Sequence, residues 1–140
     1  MNESASATGP SLLGRALAAL DVGLRYAERV GVRVSVVVLD ASFTPVALAR
    51  MDGSYESTAR IAIAKGHTAL NFKAATDDLT SRIKPENRAA LASVDPQFIF
   101  LGGGRPARRD GKVIAAVGVS GGSEEQDAEC ARLIVESLEA

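Results

Sequence analysis

The stretch from Leu101 to Ala140, LGGGRPARRDGKVIAAVGVSGGSEEQDAECARLIVESLEA, decides how this chain is read. Two glycine clusters, Gly102-Gly103-Gly104 and Gly121-Gly122, bracket one hairpin, and its turn carries Asp110-Gly111, a strong short-range hairpin signal. Val113 to Ser120 alternates. Val113, Ala115, Val117 and Val119 face one way; Ile114, Ala116, Gly118 and Ser120 face the other. The second set is small, so a helix or a ligand can lie close to it. Ser123 then caps a closing helix, with Gln126 placed to complete a capping box. Ala128, Ala131, Ile134, Val135 and Leu138 form that helix's core stripe. A strand–Gly–Gly–helix junction lets backbone N–H groups approach a small ligand.

Upstream, Ser11 is an N-cap, and Leu13, Leu17, Leu20, Leu24 and Ala27 recur at helical spacing until Gly31, giving a helix over 11–30. Valine-rich 32–39 and apolar 46–51 read as strands. Their short connection makes them an antiparallel hairpin. A helix follows over 56–75. Ile61, Ala64, Thr68, Phe72 and Ala75 share one face with Lys65, and Ile63, His67 and Leu70 share the opposite one. Two apolar stripes imply cover on both sides, by the sheet and by a second subunit. Residues 76–94 are polar and carry no clear period, although Pro85 opens a short helix to Ala92. Gln97 to Leu101 reads as a strand, and Arg105-Pro106 starts an irregular stretch. The order predicts an α+β fold: one antiparallel five-stranded sheet flanked by helices.

Composition narrows the function. Lys and Arg number 16 against 17 Asp and Glu, and Trp is absent. That balance argues against nucleic-acid binding, for want of both a basic excess and stacking platforms. The single cysteine, Cys130, rules out an internal disulfide and a multi-cysteine zinc site. No apolar run is long enough to span a membrane. Residues 1–9 lack the pattern of a signal peptide and read as a disordered leader before a single domain over 10–140. The chain reads as cytoplasmic.

Gly118-Val119-Ser120-Gly121-Gly122 matches the nucleophile-elbow pattern, but no histidine follows Ser120, so it is not a serine hydrolase of that type. Glu124, Glu125 and Asp127 crowd the start of the last helix, where carboxylates offset the helix dipole. Asp127 and Glu124 project to the core side, and an inward carboxylate needs a partner. Lys65 shares a face with Ile61 and Phe72, so it snorkels, pairs with an acid such as Asp52, or lines a cavity. Arg50 and Asp52 end a strand on one side of the pleat and can form a local ion pair. His67 is the sole histidine; it packs, acts as a general base, or serves as a lone axial ligand.

Four blocks carry a resemblance to a known family: Val34-to-Asp40 (VSVVVLD), Ala49-to-Gly53 (ARMDG), Lys65 with Thr68-Ala69, and Gly102-to-Pro106 joined to Asp110-to-Asp127. The chain resembles the GlcG/HbpS-like haem-binding or haem-degrading family. It is also similar to the C-terminal part of PduO-type corrinoid adenosyltransferases. The resemblance covers about residues 32–131. It implies a profilin-like fold, homo-oligomers from dimer to octamer, and haem or a related tetrapyrrole as ligand. It also implies His67 or Thr68 as the iron ligand. The chain departs from the family at the Ala41–Pro45 turn, where a Gly-Gly-type turn is usual, and at Asp95-Pro96-Gln97. Both departures reshape the pocket.

Three functions follow as expectations. In the first, haem binds with Arg50, Lys65 or Arg105 on its propionates and His67 or Thr68 at the iron. In the second, a cofactor-independent enzyme acts on a small anionic metabolite. There Lys65 is the acid–base group, Asp52 or Asp127 its partner, and the N–H groups around Gly103, Gly104, Gly121 and Gly122 hold an oxyanion. In the third, the chain is a non-catalytic assembly module.

Overall fold

The computed structural model describes residues 11–140; the expected leader over 1–9 lies outside them. Ser11 Oγ accepts the Gly14 amide at 3.1 Å and starts α1 (Leu12–Val30). Then follow β1 (Ser35–Asp40), β2 (Pro45–Arg50), α2 (Thr58–Phe72), α3 (Thr76–Arg82), α4 (Pro85–Val94), β3 (Gly104–Arg109), β4 (Lys112–Ser120) and α5 (Glu124–Glu139). The strands form one antiparallel sheet in the order β2-β1-β4-β3.

The sheet has four strands rather than the expected five. Gln97 to Leu101 is irregular because its donors are taken by side chains. The Gln97 amide donates to Asp95 Oδ1 at 2.9 Å, and the Ile99 amide donates to Thr68 Oγ1 at 2.9 Å. The expected irregular stretch at Arg105-Pro106 instead belongs to β3. It is an edge strand, where proline is tolerated. The Asp110-Gly111 turn joins β3 to β4 with positive φ at both residues, 53° and 78°, as a primed hairpin turn requires.

Helices α1 and α5 cover one face of the sheet. Val34, Val36, Val38, Ala115, Val117 and Val119 meet Ala16, Leu20, Ile134 and Leu138 there. Leu13 and Leu17, expected in the α1 core stripe, are 50% and 56% exposed. The buried stripe is Ala16, Ala19, Leu20, Gly23 and Ala27, since a helix that approaches α5 closely offers it small residues. A Cβ on Gly23 would come within 2.4 Å of Ile134 Cδ1. Cys130 lies in this core. Burial, then the charges of Asp127 and Glu129, push its thiol up to about 12. The stability that goes with the protonated thiol is complete below the ~8.5 of an unfolded cysteine; it drains as pH rises above that. Native protein is expected to resist a maleimide at about pH 8 and to react fully once denatured. Rapid labelling before unfolding would contradict this burial.

Helix α2 covers the other face. The alternation read in β4 holds, and its small set faces α2. A Cβ on Gly118 would lie 1.8 Å from the Ala62 carbonyl oxygen, and one on Gly104 would lie 2.2 Å from that of Lys65. Only small side chains fit at such an approach. The sheet-facing stripe of α2 is therefore Thr58, Ala62, Lys65, Gly66 and Ala69. Ile61, Ala64 and Phe72 on one flank, and Ile63 and His67 on the other, are half-buried.

Candidate functional site

Lys65 reaches inward from α2 across the end of β4. Its Nζ donates to the Val119 carbonyl at 2.9 Å and to Asp127 Oδ2 at 3.1 Å. Both side chains are 4% exposed. The second oxygen of Asp127 accepts the Gly122 amide at 2.9 Å. The inward carboxylate read from helical projection thus has its partner, and the partner is Lys65. Asp52, the other acid considered for Lys65, is exposed. Arg50 does not pair with Asp52; its Nη1 donates to the Ser54 carbonyl at 3.2 Å.

The two glycine clusters meet around this pair. The bare α-carbon of Gly103 faces the Val119 carbonyl, Asp127 Cβ and Lys65 Cδ. The Val119 amide donates to the Gly103 carbonyl at 2.8 Å. The Gly104 amide donates to Thr76 Oγ1 at 2.9 Å, and that hydroxyl donates to the Leu101 carbonyl at 2.6 Å. Glu124 accepts the Gly102 amide at 3.0 Å. The N–H groups of Gly102, Gly104 and Gly122 are therefore engaged within the chain. Gly121 has a positive φ of 139° and its α-carbon abuts the Arg33 carbonyl.

A second constellation lies on the outer flank of α2. His67 Nε2 is 2.9 Å from Asp95 Oδ2, with side chains 17% and 30% exposed. The Phe43 ring centroid is 4.9 Å from that of His67, and the Phe98 centroid 5.8 Å. Phe98 continues to Phe72 at 5.1 Å, and Phe72 to Phe100 at 5.8 Å. The chain has four phenylalanines and one histidine, and all five rings join in one cluster. Phe43 holds a positive φ of 65°, uncommon for a bulky residue. Asp40 braces that turn by accepting the Ser42 and Thr44 amides on Oδ1. The Ala41–Pro45 turn and the Asp95-Pro96-Gln97 segment thus each bring a side chain to His67, Phe43 and Asp95.

Sequence reasoning missed Phe43, Asp95 and Phe98 as neighbours of His67. The available signal was Phe98 and Phe100 at strand spacing, just after an Asp-Pro that breaks helix α4. Asp95 is held below the usual carboxylate range by the Gln97 amide first and by His67 second. This contribution is present above the ~3.9 of an unfolded aspartate; it is lost as pH falls through the lowered folded value. Thr68 is fully buried. Its hydroxyl donates to the Ala64 carbonyl at 2.7 Å and accepts the Ile99 amide, so it ties α2 to the irregular segment.

Arg105 is half-buried on β3 and borders two clefts. Neither includes His67. Among the described residues no group of three or more His, Cys, Asp or Glu is placed to hold a metal ion, and no helix is long and apolar enough to cross a membrane.

The model of the family described as "Haem degrading protein HbpS-like" matches residues 13–136. The chain belongs to the HbpS-like family. This HbpS-like chain is 34% identical over 113 residues to an uncharacterized 15.0 kDa protein of the dhaT-dhaS intergenic region of Citrobacter freundii, covering 79% of this chain and 77% of that one. It is 32% identical to the corrinoid adenosyltransferase PduO of the same organism over 80% of its own length, but spans only 34% of that enzyme. Among solved structures, Klebsiella pneumoniae ORFY superposes with a TM-score of 0.84 at 30% identity, over 90% of this chain and 88% of the other. A double mutant of Streptomyces reticuli HbpS gives 0.82 at 30%, over 91% and 86%. A PduOC:heme complex gives 0.80 at 28%, over 90% and 91%.

Proposed function

We propose that this HbpS-like protein binds haem or a related tetrapyrrole on the aromatic ledge around His67. The carrying observation is the packing of Phe43 and Phe98 against the only imidazole of the chain, with Phe72 and Phe100 extending the ring cluster behind Phe98. A carboxylate on one nitrogen of that imidazole adds to it. Flat apolar rings suit the face of a macrocycle. A carboxylate on the second nitrogen of a ligating histidine fixes the tautomer and raises ligand basicity. An ionised Asp95 accepts the Nε2 proton's hydrogen bond and leaves the lone pair on Nδ1. The family description and the structure of the PduOC:heme complex support the same ligand. Haem held here would supply a redox-active iron, and His67 is the residue that would hold it.

The residues present fit a tetrapyrrole in part. The cavity beside Phe43, lined also by Leu70, Asn71 and Lys73 but not by His67, is about 210 Å³, smaller than the usual 300–1,000 Å³ of a drug-sized site. A tetrapyrrole held here would extend beyond this cavity onto an open face of the protein. A second copy of the chain covering that face is part of this reading, in keeping with a homo-oligomer. Lys73 borders the cavity and would be the cation to meet a propionate in this reading. The Lys65–Asp127 pair is read as structural, because its buried charges already satisfy each other.

Titration with hemin is expected to give a saturable Soret shift. His67→Ala should abolish the shift, Asp95→Asn should weaken binding about 10–100-fold, and Thr68→Ser should leave the spectrum unchanged. Absence of any spectral change at stoichiometric hemin would overturn the proposal.

A further inference from the structure

A cavity of about 440 Å³ opens where the C-terminal end of α2, helix α3, strand β3 and the end of α5 meet. Its walls are almost wholly polar. They carry Lys73, Arg82, Arg105 and Arg108 against Asp78 and Glu139. The cations come from three places in the chain, the end of α2, the end of α3 and strand β3, so the fold gathers them. None of the four forms a salt bridge among the described residues. Glu139, the nearest acid on α5, is already engaged: its Oε2 accepts the Arg108 backbone amide at 2.7 Å. The Arg108 guanidinium is held in turn by the Lys73 carbonyl at 2.7 Å.

Lys73 adds an independent observation. It ends α2 with φ 53° and ψ 41°, a left-handed position that glycine ordinarily fills. A side chain there is sterically disfavoured. What lysine supplies, and glycine lacks, is an ammonium at the rim of this cavity. Strain kept at a concave, charged site is a pointer to use.

We propose that this cavity is a binding site for a small dianion, with a phosphate monoester as the class that fits it best. Arginine forks match phosphate oxygens two at a time, and lysine adds a point charge. The volume leaves room for an organic remainder beyond the phosphate. The site stands apart from the haem reading, since it contains none of the rings around His67. Lys73 also borders the cavity beside Phe43, so haem propionates are a second source of the same charge.

The test is calorimetry with inorganic phosphate and with glycerol phosphate at constant ionic strength. Saturable binding is expected. Arg105→Gln and Arg82→Gln should each weaken it roughly 10–100-fold, the loss of one charge-assisted contact. Arg25→Gln, which removes an exposed pair with Asp21 on α1, should leave it intact. Hemin that displaces phosphate assigns the dianion to the propionates; phosphate retained beside hemin assigns a separate metabolite. Both results keep the site. Lack of saturable heat at millimolar phosphate, or native affinity in both arginine variants, would overturn it. Arg82 is exposed, so its variant remains informative should Arg105→Gln fail to fold.

Discussion

Asp127→Ala is expected to destabilise the protein by about 3–5 kcal/mol, the usual cost of removing one member of a buried ion pair. The substitution leaves Lys65 Nζ with the Val119 carbonyl as its one partner in a site 4% exposed. It also strips the Gly122 amide of its acceptor. Lys65→Ala should cost a similar amount by stranding the carboxylate. Against a total stability of about 5–15 kcal/mol, either change consumes much of the margin. The pair is expensive to break rather than inherently stabilising, so Lys65→Met combined with Asp127→Leu should recover most of the loss. Urea denaturation of the three variants measures this. A loss below about 1 kcal/mol in Asp127→Ala would mean that water reaches the pair and that its burial is wrong.

The second large effect belongs to Gly118. A Cβ there would sit 1.8 Å from the Ala62 carbonyl oxygen, 2.8 Å from its carbon and 2.9 Å from the Gly66 nitrogen. All three are backbone atoms, so no rotamer change relieves the clash. Gly118→Val must lift α2 off β4, and Lys65 would move with it. Overpacking ordinarily costs about 1–3 kcal/mol. Gly118→Val is expected at or beyond the upper end, with loss of cooperative unfolding. Gly23→Ala is the control. Its new Cβ meets Ile134 Cδ1 at 2.4 Å, but a side-chain tip can turn away. That variant should cost distinctly less. Equal stability of Gly118→Val and the native protein would show that α2 does not lie this close to the sheet.

These two predictions meet at one place, because Gly118 and Gly104 let α2 descend far enough for Lys65 to reach Asp127. The C-terminal block announced much of this. Its alternation separated the faces of β4, its acids included the inward Asp127, and Ser123 and Gln126 do form the reciprocal cap, at 3.1 and 3.0 Å. The same block carries the family resemblance. The helical projection of α2 misled, because it ranked faces by apolar content. The sheet selected the small residues instead, and the larger ones moved to the flanks. Residues 76–103 were poorly legible for a related reason. Helices α3 and α4 are short and polar, and the segment after them spends its amides on Asp95 and Thr68, which no local pattern reports.

Local sequence by itself determined the helix caps, the Asp110-Gly111 turn, the two-faced strand β4, the single-cysteine chemistry and the family, because each depends on neighbours a few residues apart. Tertiary structure alone decided three things: that Lys65 pairs with Asp127 rather than Asp52, that Phe43 and Asp95 converge on His67, and that four cations share one cavity. Those contacts join residues far apart in the chain, up to 62 positions for Lys65 and Asp127, or separate elements of the fold. Their geometry is set by how closely a helix can approach a sheet whose facing side chains have been reduced to hydrogen.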